Sequence, residues 1–142
     1  MTFAEFKTLV LRYNFDALGI KFRSFTYEEA KNDVPPRDVL VSYSAIYRNP
    51  FVEMSITYSI TANYFGAMIQ KSKKEYFTIS EYLKSKKRTN EDVAAGLQSD
   101  ETASDHFLRF ISQVYELTKG ELQPIILGKI WEDIPRDWMG YK

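Results

Sequence analysis

Apolar and polar positions alternate most regularly between Asp38 and Gln70. Val52, Met54, Ile56, Tyr58 and Ile60 share one side of an extended chain, while Glu53, Ser55, Thr57, Ser59 and Thr61 share the other, as in a half-buried strand. Val39, Val41, Tyr43, Ala45 and Tyr47 alternate in the same way with Leu40, Ser42, Ser44 and Ile46, and Arg48-Asn49-Pro50 between the two runs reads as a hairpin turn. Ala62-Asn63 suits a tight turn, after which Tyr64–Gln70 returns with Phe65, Ala67 and Ile69 on one face. Upstream, Leu18, Ile20 and Phe22 alternate until Phe25 and Tyr27 appear on the opposite parity, which predicts a strand with a bulge near Ser24. Glu28 to Pro36, ending in Val34-Pro35-Pro36, reads as a loop because proline cannot donate to a ladder.

Helical spacing brackets these strands. Thr2-Phe3-Ala4-Glu5 has the form of a capping box, and Phe3, Phe6, Leu9, Val10 and Tyr13 predict a first helix to about Asn14. Lys71–Glu75 reads as a solvated turn, and Thr78-Ile79-Ser80-Glu81 repeats the capping form ahead of a short helix that fades in Lys86-Lys87-Arg88. Thr89 to Ser99 has no sustained period and is expected to be a mobile connection. From about Asp100, Ala103, Phe107, Phe110, Ile111, Val114 and Leu117 share a helical face up to Lys119-Gly120, with Asp100 and Glu101 as first-turn acids. A short helix beginning near Pro124 and ended by Gly128 closes the assignable pattern, leaving Trp131 to Tyr141 without one. The prediction is an α+β fold: an antiparallel sheet of about four strands with helices packed on one face, in one domain over residues 1–142.

Composition narrows the function classes. With 19 basic and 19 acidic residues the chain is neutral, which argues against a general nucleic-acid or membrane-surface binder. It has no cysteine, so thiolate metal sites and disulfides are excluded. The first residues lack the pattern of a signal peptide and no apolar run is long enough to span a bilayer, so a cytoplasmic location is expected. Ten Tyr and ten Phe suit a sheet-rich core and also a Tyr-bearing recognition face.

No catalytic, cofactor-binding or metal signature stands out, and none of the three is expected. His106 has no second His and no Cys beside it, so it reads as structural or merely exposed. The acidic groups at Glu91-Asp92, Asp100-Glu101 with Asp105, and Glu132-Asp133 with Asp137 have no spacing that defines a reaction. The charges are nevertheless segregated: Lys71, Lys73, Lys74, Lys84, Lys86, Lys87 and Arg88 precede a stretch of acids that contains no base. Such a dipolar surface can steer a charged protein partner, which makes Lys86, Lys87, Arg88, Glu91 and Asp92 the candidate partner-binding residues.

The order of elements, with Phe77-Thr78-Ile79-Ser80-Glu81-Tyr82-Leu83 opening the short helix and Ile126-Leu127-Gly128-Lys129-Ile130-Trp131 closing the chain, resembles the small immunity proteins of bacterial polymorphic-toxin systems. The resemblance covers roughly Val39 to Trp131. It implies a cytosolic domain that binds one protein toxin and blocks it without catalysis; from the neutral charge balance, neither nucleic acid nor membrane is expected as a partner. Two alternatives come from other classes. One is a small-molecule binder or hydrolase with Tyr43, Tyr58 and His106 in a pocket between sheet and main helix. The other is an oligomer formed through an exposed sheet edge.

Overall fold

The computed structural model describes residues 1–31, 39–96 and 100–135. Five antiparallel strands lie in chain order: β1 (Lys21–Lys31), β2 (Val39–Arg48), β3 (Glu53–Ser59), β4 (Tyr64–Gln70) and β5 (Tyr76–Thr78). Each strand is bonded to its neighbour in sequence, so the sheet is a meander with no crossover. Among the described residues four α-helices accompany it: α1 (Phe3–Val10), α2 (Ile79–Ser85), α3 (Ala103–Lys119) and α4 (Gln123–Ile126). This is the expected α+β class, with one strand more than the alternation predicts.

Register carries the alternation across the sheet. Phe25, Ala45, Ile56 and Ala67 form one cross-strand row, and Tyr27, Tyr43, Tyr58 and Phe65 form the next. All these side chains fall on the same face, where Tyr43, Ala45, Ile56, Tyr58, Phe65 and Ala67 are buried with the apolar sides of the helices. The other face is Ser- and Thr-rich and only partly covered, with Ser44 and Thr57 hydroxyls 2.9 Å apart across neighbouring strands.

Aromatic rings fill the space between sheet and helices. Phe6 of α1 lies 5.1 Å from Phe107 of α3, and Phe65 of β4 packs against both Phe107 and Phe110. Burying each such side chain contributes about 1.5 to 3 kcal/mol before conformational entropy is charged against it. No described helix is long and apolar enough to cross a membrane.

Several local expectations hold. The β1–β2 register shifts between Phe22 and Ser24, placing the bulge beside the predicted position. Thr78 and Glu81 complete a reciprocal capping box on α2. At α1 only half of the expected capping box is seen: Thr2 accepts from the Glu5 amide, while the Glu5 carboxylate accepts from the Ser104 hydroxyl at 3.3 Å.

Others are corrected. α1 ends at Val10, and Phe15–Leu18 forms a short 3-10 turn, so the first strand begins at Lys21 rather than at Leu18. Glu28 to Lys31, expected as loop, continue β1 as an exposed arm paired with Val39 to Ser42. The tight turn at Ala62-Asn63 is a turn over residues 60–63, in which Asn63 takes the left-handed conformation at φ 48°. β5 emerges where only a turn and a helix cap were predicted. α3 starts after its cap Thr102, which leaves Asp100 and Glu101 outside its first turn. The expected loop over residues 32–36, residues 97–99 of the connection and residues 136–141 of the tail lie outside the described residues.

The connection expected to be mobile is tied to α3 over its described part. The amide side chain of Gln113 accepts from Val93 N–H at 3.1 Å and donates to the Glu91 carbonyl. His106 donates from Nε2 to the Val93 carbonyl at 2.6 Å, since a carbonyl can only accept. Arg109 reaches both the Gly96 carbonyl and the Glu101 carboxylate. Replacing Gln113 with Ala removes two of these bonds and is expected to cost about 1 to 3 kcal/mol. Hydrogen exchange at the Val93 amide is expected to accelerate beyond that global loss, and unchanged exchange there would refute the tether.

Candidate functional site

The side chains named for a small-molecule pocket are buried in a row of packed rings. Tyr43 packs edge-on to Tyr58 at 6.1 Å, Tyr58 packs on Phe65 at 5.0 Å, and Phe65 packs on the His106 ring at 4.6 Å. All four are buried, and His106 is committed to the Val93 carbonyl. No cluster of three or more metal-ligating side chains occurs among the described residues.

The charged residues singled out in the sequence do come together, largely in pairs with one another or with residues later in the chain. Arg88 Nε lies 2.8 Å from a Glu91 carboxylate oxygen, and Nη1 lies 2.6 Å from Glu121. Lys86 Nζ lies 2.8 Å from Glu132 and 5.5 Å from the Tyr82 ring. The Asp92 carboxylate accepts from the Ala94 amide. Lys87 is the exception, exposed and without an ion pair among the described residues. Its φ of 58° is the left-handed conformation just past α2, where glycine is the ordinary occupant and a lysine costs of order 1 kcal/mol.

This network sets the local ionisation. Burial first, and then the Glu121 carboxylate, push the Tyr82 hydroxyl up to about 12. The hydrogen bonds of Arg88 hold the Glu91 carboxyl below its ordinary range.

Next to this network lies a cleft that the sequence reading did not anticipate. It has a volume of about 440 Å³, and its walls include Phe51, Ile125, Gly128, Ile130 and Trp131, with Lys71 and Lys129 at the rim. A second groove of about 300 Å³ runs along the other flank of Phe51, bounded by Arg48, Glu53, Lys71 and Lys73. Phe51 and Ile130 are each 51% exposed, far more than core residues of their type. Trp131 is half-buried, lying against Phe77 at 5.4 Å with the Lys71 ammonium 5.9 Å from its ring centre. Trp131 is also the neighbour of Glu132, so the Lys86 ion pair fastens the charged network to the wall of the cleft.

Asn49 builds the ridge between the two grooves. Its Oδ1 accepts from the amides of Phe51 and Val52, both at 2.8 Å, which folds the β2–β3 turn. Its Nδ2 donates to the Gly19 carbonyl at 3.0 Å and to the Ile126 carbonyl at 2.6 Å, so one amide joins the turn to the start of the sheet and to the end of α4. The Phe51 ring then lies on Gly128, whose φ of 72° and lack of a side chain make the seat; a Cβ there would come within 2.4 Å of the ring.

Sequence reading takes Asn49 and Pro50 as turn residues, passes over Phe51, and meets Ile130 and Trp131 only within the closing motif, without a binding role. The available signal is a large aromatic side chain directly after a turn, where polar residues are usual.

No protein family, curated protein or solved structure matches this chain.

Asn49→Ala is expected to destabilise the protein by about 2 to 4 kcal/mol, because four hydrogen bonds disappear and the half-buried Val52 amide is left without its acceptor. Urea unfolding measures the loss, and a change below about 1 kcal/mol would rule out the joint described above. A second expectation concerns pH. The folded protein keeps the Tyr82 proton up to about 12 while the unfolded chain releases it near 10.0, so this contribution is complete below pH 10 and declines as pH rises through 12. Denaturation series on Tyr82→Phe should therefore show a shallower alkaline fall than the parent protein; identical curves would contradict the assignment.

Proposed function

We propose that this chain is a protein-binding module without catalytic activity of its own, and that its particular form is a bacterial immunity protein that binds and neutralises a toxin in the cytoplasm. The observation that carries the binding reading is the surface around Phe51: exposed apolar side chains held by a rigid turn, beside Lys73 and Lys129, which have no ion pair among the described residues. An apolar centre with a charged rim is the usual anatomy of a protein interface. The preorganised turn adds to it, since a side chain already fixed in place loses little freedom on binding.

Lys87 supports the same reading. It keeps a charge and a strained backbone at a position where glycine relieves the strain, next to the network that fastens Trp131. Lys86, Arg88 and Glu91 then act chiefly by shaping this side of the molecule, and Lys87 meets the partner directly. Asp92, which accepts from the Ala94 amide, holds the turn after them. The toxin-neutralising form rests on the resemblance in element order described above.

The test is co-expression with the candidate toxin encoded beside this chain. The parent protein is expected to restore growth and to co-purify with the toxin. Phe51→Ala and Lys87→Glu, both at exposed positions, are expected to weaken co-purification by about tenfold or more while leaving the unfolding transition in place. Rescue that ignores both substitutions would place the interface elsewhere, and failure of the parent protein to rescue would remove the toxin-neutralising form.

A further inference from the structure

We infer that the Phe51 cleft takes an acidic segment of a protein partner, with one apolar side chain seated between Phe51 and Trp131. This rests on the protein-binding reading and adds to it the chemistry of what is bound.

The argument starts from charge. The chain as a whole is neutral, with 19 bases and 19 acids. Along the two grooves that flank Phe51, however, the charged lining consists of Arg48, Lys71, Lys73 and Lys129 against the single carboxylate of Glu53. Glu53 is already occupied, with its Oε1 2.6 Å from Arg48 Nη2. Lys73 and Lys129 have no ion pair among the described residues, and Lys71 has only a loose one, 3.7 Å from Glu75. The surplus is therefore positive and unsatisfied where the apolar side chains are exposed.

The shape of the surplus favours an extended chain over a compact anion. Lys71, Pro50, Phe51 and Val52 line both grooves, so the two join across the Phe51 ridge into one track with Lys73 towards one end and Lys129 towards the other. A single phosphate needs converging donors, often backbone amides. Here the amides of Gly128, Lys129 and Ile130 are spent on the carbonyls of Ile125 and Pro124. What remains is a row of separate ammonium groups around an apolar notch. Carboxylates spaced along a peptide match that row, and a Leu, Phe or Trp between them fills the notch.

Selection of a randomised dodecapeptide display library on the immobilised full-length protein tests this. The expected enrichment is of Asp and Glu on both sides of a large apolar residue. A labelled peptide made from the enriched sequence should bind more weakly as salt is raised, and about tenfold more weakly to Phe51→Ser. Selection on the Lys71→Glu, Lys129→Glu double variant should turn the flanking preference to Lys and Arg. Its exposed substitutions leave the unfolding transition as the check that it is folded.

No enrichment, enrichment without acidic flanks, binding indifferent to Phe51→Ser, or displacement of the peptide by oligo-dT at lower concentration than by unlabelled peptide would each overturn the inference. The outcome also separates from that of the growth test. Acidic peptides that bind at Phe51 together with failed rescue would retain the cleft chemistry and remove toxin neutralisation. Rescue that depends on Phe51, with no acidic bias in the selection, would retain the binding module and remove the acidic partner.

Discussion

Every strand of the sheet must send alternate side chains to opposite faces, and the rest of the molecule follows from which face each row chooses. A shift of one residue in any strand would turn its aromatic and aliphatic side chains to the open face and its Ser and Thr residues into the core. The bulge between Phe22 and Ser24 shows the constraint at work. Without the extra residue, Phe22 and Phe25 would fall on opposite sides. With it, both lie on the buried side, and their rings pack 4.7 Å apart.

That one-sided sheet explains where function can lie. Its covered face is spent on aromatic packing with α1 and α3, and the only histidine is spent on holding a connection. Two of the exposed large apolar side chains, Phe51 and Ile130, stand instead where the β2–β3 turn meets the end of α4. Asn49 makes this junction by serving three separate parts of the chain with one side chain. Phe51 is thus displayed by rigid backbone rather than by a long loop, and it can be large and half-exposed without collapsing onto the core. Gly128 supplies the surface on which it rests.

The regular parts of this arrangement were legible in the amino-acid order. Alternation identified the Val39–Gln70 strands, parity identified the bulge, and Thr78 with Glu81 marked α2. The misses have local physical reasons. Tyr76–Thr78 is too short to display a period and shares Thr78 with the helix cap, so it does not announce a strand. Glu28 to Lys31 are polar because they belong to an arm exposed on both sides, and polarity alone resembles a loop. For the site, the order of charges was visible but their pairing was not: Arg88 finds Glu121, and Lys86 finds Glu132, across separations no local pattern encodes. The cleft was harder still, since Phe51, Lys71 and Trp131 come from three segments that only the finished fold brings together.

Asn49 also couples the cleft to the order in which the polypeptide is made. Its partners lie 30 residues before it, at Gly19, and 77 residues after it, at Ile126. A chain still emerging from the ribosome can pair β1 with β2 and β3, but the turn that displays Phe51 lacks its last anchor until α4 has left the exit tunnel. Nascent fragments that stop short of α4 therefore lack one of the two long-range anchors of the Phe51 turn.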